Sequence, residues 1–357
     1  MAAEITFKKT LDVKNDIEAR LSDKKGVIGF GVGRINDEDD GSELCVQIFI
    51  NKNDPQILDD EELSLLIEER SKNNREVQVR LIQISPVKAQ EDEAELQDTL
   101  GAGVEPYTTK KRPMPPGYSI GIPEAGAGTA GLIVVKKEDN SKVFILSNNH
   151  VLIQNNRSFP SIIQQGATDG GTLSDNKIGS ACEFIPLKDS PNVNTVDGAL
   201  ARPDRAADLD PDYPGVGEVP GHYNQVVLGW EMEKVGKRTG HGTGKITSIS
   251  WSGIISGRKW ENQVVVTNSE ERIGLPGDSG QVWLKKDDHH AGLVHHAGTS
   301  DGDISISYPI HWALTAFKCA VAKKAGKKGK NDFEPGEIKT LSNVDKCDAV
   351  SEINSHL

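Results

Sequence analysis

The sequence predicts a mainly β protein: a barrel or sandwich of short strands, preceded by a small α+β domain. Short apolar, β-branched runs recur between Gly, Asn and Asp turns from Gly131 onward, while helical spacing is confined to a few segments. A content of 36 Gly and 17 Pro in 357 residues supplies the tight turns such a fold needs. An apolar fraction of 36% over this length excludes disorder throughout and leaves ample chain for a core.

Within residues 1–86, Leu11, Ile17 and Leu21 fall at helical spacing among charges, so Lys8–Lys24 reads as an amphipathic helix that Gly26 would stop. Val27–Ile35 and Leu44–Ile50 read as strands flanking the acidic turn 36–41. A charged helix at Asp60–Lys72 and a third strand at Val77–Ile84 complete the order helix, strand, strand, helix, strand. Gly29-Phe30-Gly31-Val32-Gly33 has the look of a nucleotide loop, but its glycines lie inside a strand pattern with no helix opening after them. Close backbone packing is the expected reason for them.

Residues 87–116 read as a linker, acidic at Gln90–Glu95 and proline-rich at Arg112–Pro116. Strands are then expected at Gly131–Lys136, Lys142–Ser147, Gly198–Ala201, Ile246–Trp251, Gln263–Thr267, Gln281–Lys285, Ala291–Val294 and Ile304–Ser307. They belong to a domain spanning 117–323 that closes with a helix at His311–Lys323, where Trp312, Leu314, Phe317 and Val321 lie near helical spacing. Residues 324–357 form a basic, then polar, mobile tail.

A net charge of −12 disfavours nucleic acid or an anionic membrane as a general partner. No apolar run approaches the ~20 residues of a membrane span. The N-terminus lacks the basic-then-apolar pattern of a secretion signal, so a cytoplasmic location is expected. The four cysteines lie far apart without metal-site or disulfide-framework spacing, and reduced thiols are the expectation. His289-His290 and His295-His296 could meet across a hairpin, but no cysteine or carboxylate-rich context completes a zinc site, so no metal and no cofactor are assigned.

Three segments carry chemistry. In Leu275-Pro276-Gly277-Asp278-Ser279-Gly280, glycine at 277 lets the backbone turn its N–H groups inward, and Ser279 supplies a second donor from its own backbone. The plainer reading is a turn entering a strand. In Phe144-Ile145-Leu146-Ser147-Asn148-Asn149-His150, a buried strand delivers one imidazole to its end, where it could take and return a proton. A hydrogen-bonded core histidine is the alternative. Asp197, in Val196-Asp197-Gly198-Ala199-Leu200, is a carboxylate among apolar residues that needs a partner; an Asx-turn is its alternative and orienting an imidazole its catalytic use.

His150, Asp197 and Ser279, in that order within a β-rich region, make 117–323 resemble the trypsin/chymotrypsin-like serine peptidases. Pro116–Gly121, Gly128-Thr129-Ala130-Gly131 and Val235–Gly244 resemble segments of the intracellular branch that includes bacterial trypsin-like proteins and the plant narrow-leaf protein. The resemblance implies a two-barrel fold with the site between barrels. It implies Ser279 as nucleophile, His150 as base and then acid, Asp197 as orienting acid, and the N–H groups of Gly277 and Ser279 as oxyanion hole. It further implies a substrate pocket with Ile273 and Gly274 at its floor and His295, His296 and Ala297 in its wall, histidines that could receive an acidic or polar side chain. The expected partner is a protein or peptide substrate. Without an Ile-Val-Gly-Gly-like start, Asp278 must find another partner than a freed amine, with a Lys, Arg or His side chain expected. An intracellular protease calls for restraint by an activating partner, homo-oligomer assembly or narrow specificity, and residues 86–116 are the place for domain movement or self-cleavage. A catalytically silent scaffold of the same fold is the alternative function.

Overall fold

Two β-barrels, each wrapped around its own apolar interior, make up most of the molecule in this computed structural model, which describes residues 6–71, 77–89, 107–326 and 333–341. Much of the expected linker (90–106), part of the basic run (327–330) and the end of the tail (342–357) lie outside the described residues.

Alternation along the strands builds the first barrel. In the hairpin of Ile133–Lys136 and Asp139–Ser147, Ile133, Val135, Val143 and Ile145 enter the barrel interior, while Val134, Phe144 and Leu146 turn the other way into a core shared with the second barrel. A two-residue side-chain period thus serves two cores from one hairpin. Strands Ser161–Ile163, Lys177–Phe184 and Ala199–Pro203 continue the sheet, and Ser119–Gly121 pairs with Ala127–Thr129. The ring closes through segment 127–136, where the Gly131 N–H donates to the Leu146 carbonyl.

The second barrel closes outright. Glu231–Gly236, Gly240–Ile255, Arg258–Thr267, Ile304–Pro309, Ala291–Thr299 and Val282–Lys285 pair in that circular order. Gly240–Ile255 is long enough that only its first part is needed for the barrel. Its distal part pairs with Val27–Arg34, so the N-terminal strands (Val27–Arg34, Leu44–Asn51, Gln78–Ile84) extend the same sheet. Helices Phe7–Leu21 and Glu61–Ser71 lie close to their predicted places, and Ile17, Leu21, Leu63 and Leu66 cover Phe30, Val46, Ile48 and Ile50. Gly26 does not stop the first helix: the helix ends at Leu21 with Ser22 as cap, and Gly26, at φ +89°, serves the turn into the next strand.

Two expectations are corrected. The helix predicted over His311–Lys323 spans only Ile310–Ala316. Lys318, in the left-handed region at φ 52°, ends the run, and Cys319–Lys324 becomes a strand paired with Ile133–Lys136. The tail also carries order: Phe333–Pro335 pairs with Cys319–Lys324 of the first barrel, and Glu337–Lys339 pairs with Gly221–Tyr223 on the second-barrel sheet.

The strand glycines 29, 31 and 33 are explained by close approach. A Cβ at Gly29 would lie 2.5 Å from Trp251 Cζ2 and 2.6 Å from the Ser252 carbonyl oxygen, and one at Gly31 2.1 Å from Ser248 Oγ. Gly29→Ala should therefore destabilise the fold by about 1–3 kcal/mol, the usual cost of overpacking. Urea denaturation will read this; an unchanged midpoint would mean that the N-terminal sheet does not seat on the long strand in this register.

Candidate active site

The short helix Asn149–Leu152 begins where strand Asp139–Ser147 leaves the first barrel, and it presents His150 toward Asp197. Asp197 Oδ2 lies 2.5 Å from His150 Nδ1, while Oδ1 accepts from the Asn149 N–H at 2.8 Å and the His150 N–H at 3.3 Å. Its main-chain carbonyl accepts from Asn148 Nδ2 and Tyr308 Oη, both at 2.7 Å. Burial alone would raise this carboxyl. The charge and hydrogen bond of His150, with smaller help from His296, outweigh it and hold the group below its ordinary value, so Asp197 is an anion that fixes the ring. Asn148 and Asn149, unremarked in the sequence, place both ends of this pair.

Ser279 belongs to the second barrel, in the turn before Val282–Lys285. The Gly280 N–H donates to the His295 carbonyl, and the His295 N–H to the Gln281 carbonyl, so the turn is pinned to one edge of strand Ala291–Thr299. From the first barrel, the Thr129 N–H donates to the Ser279 carbonyl at 2.7 Å and Thr129 Oγ1 to the Gly277 carbonyl at 2.9 Å. Gly128 is packed between Val151, the neighbour of His150, and the Ser279 carbonyl. Of the three residues picked out from the sequence, His150 and Asp197 are joined directly, and Ser279 lies on the turn that Thr129 ties to their barrel across the seam. Ser279 Oγ is buried and makes no hydrogen bond among the described residues, so its bond to His150 Nε2 is not formed in this structure. Gly277 has φ +101°, a conformation open to glycine, and the N–H groups of Gly277 and Ser279 donate to no group among the described residues.

Asp278 departs from the expectation of a Lys, Arg or His side-chain partner. Oδ1 accepts from the main-chain N–H groups of Arg238 and Thr239 at 2.9 and 3.1 Å; Oδ2 accepts from Thr239 Oγ1 at 2.8 Å and the Leu275 N–H at 3.0 Å. Behind it, the fully buried Lys234 donates to Thr239 Oγ1 and, at 3.0 Å, to the Gly240 carbonyl. Burial pulls Lys234 down to about 8, with Asp278 and Glu271 opposing. A Cβ at Gly236 would lie 2.3 Å from Asp278 Oδ1, so the segment around 234–240 is shaped to this carboxylate. Three main-chain amides and one hydroxyl are the direct donors, and the Lys234 ammonium reaches the carboxylate through Thr239 Oγ1.

The pocket candidates separate. Ile273 is wholly buried in the shared core, and its carbonyl accepts from Gln281 Nε2. Gly274 faces the His295 ring: a Cβ there would lie 2.9 Å from His295 Cε1. His295 Nδ1 sits 2.7 Å from Ser305 Oγ, which also accepts from Trp283 Nε1 at 3.1 Å. His296 is turned into the protein, against Trp260 and Tyr308, with Nε2 2.8 Å from Gln263 Oε1. Ala297 pairs with Ala89. The four histidines 289, 290, 295 and 296 have four separate partners, Glu233, Glu337, Ser305 and Gln263, and among the described residues no cluster suited to a metal ion occurs. Cys182 and Cys319 are free thiols pushed up to about 11 by burial, and Cys45 to about 12, so all three are held as thiols rather than thiolates.

This mainly β, two-barrel architecture is the one that the resemblance to trypsin/chymotrypsin-like serine peptidases implies. No family model and no curated protein sequence matches the chain. Among solved structures, it is similar to a glutamic-acid-specific serine protease that uses a histidine triad in substrate binding, at 19% identity and TM-score 0.43 over 58% of this chain and 100% of that one. It is similar to Thermobifida fusca protease A at 19% identity and TM-score 0.42, covering 58% of this chain and 98% of that one. A Cellulomonas bogoriensis chymotrypsin gives 18% identity, TM-score 0.41, and the same 58% and 98%.

Two predictions follow from the electrostatics. Burial, with His311, Lys137 and His290 adding to it, pushes His222 down to about 3; burial, partly opposed by Asp197, brings His296 to about 4; burial takes His295 well below its ordinary value. These rings stay neutral in the fold and take up protons near pH 6.5 when unfolded, so stability is present above pH 6.5 and falls as the pH drops below it. Each contributes a slope of up to about 1.4 kcal/mol per pH unit between the two pKa values. Denaturant titrations at pH 7, 6 and 5 should show the decline, and a flat profile would mean the rings are already charged. Thr239→Val, which leaves the buried Asp278 one donor short, should cost about 1–3 kcal/mol, largely recovered by Thr239→Ser. Equal stability of all three proteins would remove Thr239 from the support of the turn at 277–280.

Proposed function

We propose that this chain is a serine endopeptidase acting through an acyl-enzyme. The observation that carries the reading is the buried Asp197–His150 pair of one barrel, set beside a Ser279 turn that Thr129 ties across the seam. Ser279 Oγ attacks the scissile carbonyl while His150 accepts its proton, and Asp197 stabilises the resulting imidazolium. The N–H groups of Gly277 and Ser279 receive the oxyanion. Catalytic hydrogen bonds commonly tighten only with substrate in place, which is consistent with a Ser279 hydroxyl not yet bonded to the imidazole. A polar side chain in the residue preceding the cut is the preference we assign to the wall at His295, whose ring is wholly buried against Gly274 and held by Ser305. Free cysteines agree with work in a reducing, cytoplasmic setting, where restraint by a partner or by assembly would be needed.

A silent scaffold is the second reading, favoured by one observation: Ser279 is only 1% exposed. Labelling by a serine-directed fluorophosphonate distinguishes the two. The wild type should be modified at Ser279 at least about 100-fold faster than His150→Ala, given the usual contribution of a general base, and Ser279→Ala not at all. Equal labelling of all three would end the enzyme reading.

A further inference from the structure

Where the N-terminal strands join Gly240–Ile255, two glycines face each other: Gly29 pairs with Gly253. A Cβ on either would lie within 2.6 Å of the Trp251 ring, so this level of the sheet carries no side chains of its own. Beside it lies a pocket of about 200 Å³, walled by helix Phe7–Leu21, strand Val27–Arg34, residues Pro86 and Val87, and the hairpin between Gly240–Ile255 and Arg258–Thr267. Ile28, Phe30, Pro86, Val87 and Ile254 supply its apolar lining, and Ile254 remains 53% exposed, apolar surface that folding leaves uncovered. The wall at Val87 is fixed in place. Val87–Ala89 pairs antiparallel with Ala297–Thr299, and on its other side the Ala89 N–H donates to Ser256 Oγ at 3.1 Å.

Two charged groups line the same pocket, Glu18 and Lys259. Glu18 Oε2 accepts from Lys14 Nζ at 2.6 Å and from Ser252 Oγ at 2.7 Å, which anchors the carboxylate, while Oε1 accepts no hydrogen bond among the described residues. Lys259 Nζ lies 2.9 Å from Glu261 Oε1. That contact chiefly holds the Lys259 ammonium above its ordinary value, and Glu18 adds to it, so the two pocket charges act on each other. A ligand bearing one charge would give only one of these groups a partner and would strip water from the other. A ligand bearing both charges on an apolar body satisfies the carboxylate, the ammonium and the apolar lining together.

We propose that this pocket binds a free amino acid with a bulky apolar side chain: its ammonium donates to Glu18 Oε1, its carboxylate accepts from Lys259 Nζ, and its side chain lies against Ile28, Phe30, Val87 and Ile254. The volume sets the size class. Sites for drug-sized ligands run to roughly 300–1,000 Å³, and this one is smaller. Anchoring of Glu18 by Lys14 and Ser252, and of Val87 by its strand pairing, means that little has to be ordered when the ligand enters. None of these residues belongs to the proposed catalytic set, so the inference goes beyond the peptidase reading and does not depend on it.

Isothermal titration calorimetry of the full chain with L-leucine, leucinamide, 4-methylpentanoate and N-acetyl-leucinamide tests this. L-leucine should bind with Kd below about 1 mM. It should bind at least about tenfold tighter than leucinamide, which lacks the carboxylate, and than 4-methylpentanoate, which lacks the amine. Lys259→Gln should erase the difference between leucine and leucinamide, and Glu18→Gln that between leucine and 4-methylpentanoate, with thermal melting to show that each variant is folded. Because Glu18 also holds Lys14, Ile254→Asp at an exposed position gives an independent check: leucine binding should weaken at least about tenfold with the helix contacts intact. Leucine binding unchanged by both Lys259→Gln and Ile254→Asp would place the ligand elsewhere and overturn the inference. No binding of leucine up to about 10 mM would overturn it too. If N-acetyl-leucinamide binds as tightly as leucine, the pocket receives a side chain of another protein and the inference fails.

Discussion

Thr129 holds the two halves of the site in register. On the proposed reading, a nucleophile on one barrel and a base on the other cooperate only if the barrels cannot slide, because a shift of an ångström at the reacting atoms costs orders of magnitude in rate. Thr129 spends its N–H on the Ser279 carbonyl and its hydroxyl proton on the Gly277 carbonyl; its hydroxyl oxygen accepts from the Lys237 N–H and its carbonyl from Ser147 Oγ. One residue thus joins the nucleophile turn, the segment that cradles Asp278, and the strand end that carries His150. Beneath it, the shared core of Val134, Phe144 and Leu146 with Val235, Val282 and Leu314 makes sliding costly, since interiors are close-packed and do not deform gradually.

The same turn is preorganised from its other side by Asp278. A buried carboxylate is tolerable only when its lone pairs are met, and here three main-chain amides and one hydroxyl meet them. Lys234 adds a buried charge nearby without displacing any of those donors, and its lowered pKa records the cost of keeping an ammonium out of water. The result is a turn whose shape is fixed by the folded chain itself, with no dependence on a newly freed terminus to complete it.

Local pattern carried much of this into view before any coordinates. His150 stood out at the end of an apolar strand, Asp197 as a carboxylate among apolar residues and Ser279 in a glycine-flanked turn, and the eight strands predicted after residue 130 all occur. The roles of Thr129 and Thr239 were hidden, since they depend on contacts about 40 to 150 residues away, and no periodicity encodes register at that distance. Cys319–Lys324 was misread because a short apolar run after a helix can continue it or become a buried strand, and periodicity alone does not separate the two. The union of the N-terminal strands with the second barrel was equally silent: an open edge on Gly240–Ile255 is a property of its length beyond its neighbours, which appears only once those neighbours are paired.

That long strand and the edge at Ala297–Thr299 express one constraint. A sheet edge with free N–H and C=O groups invites any extended segment to pair with it, which is useful for reading peptides and hazardous in a crowded cell. A protein can cover such an edge permanently and lose the function, or cover it with a segment that can leave. On Gly240–Ile255 the cover is Val27–Arg34, bedded on Trp251 through a glycine that admits no side chain and backed by a helix-covered core. At Ala297–Thr299 it is three residues, of which Val87 joins a buried core cluster and Ala89 packs against it. The first is built to stay. The second has less apolar area on the core, and its grip comes from the ladder on one side and Ser256 Oγ on the other.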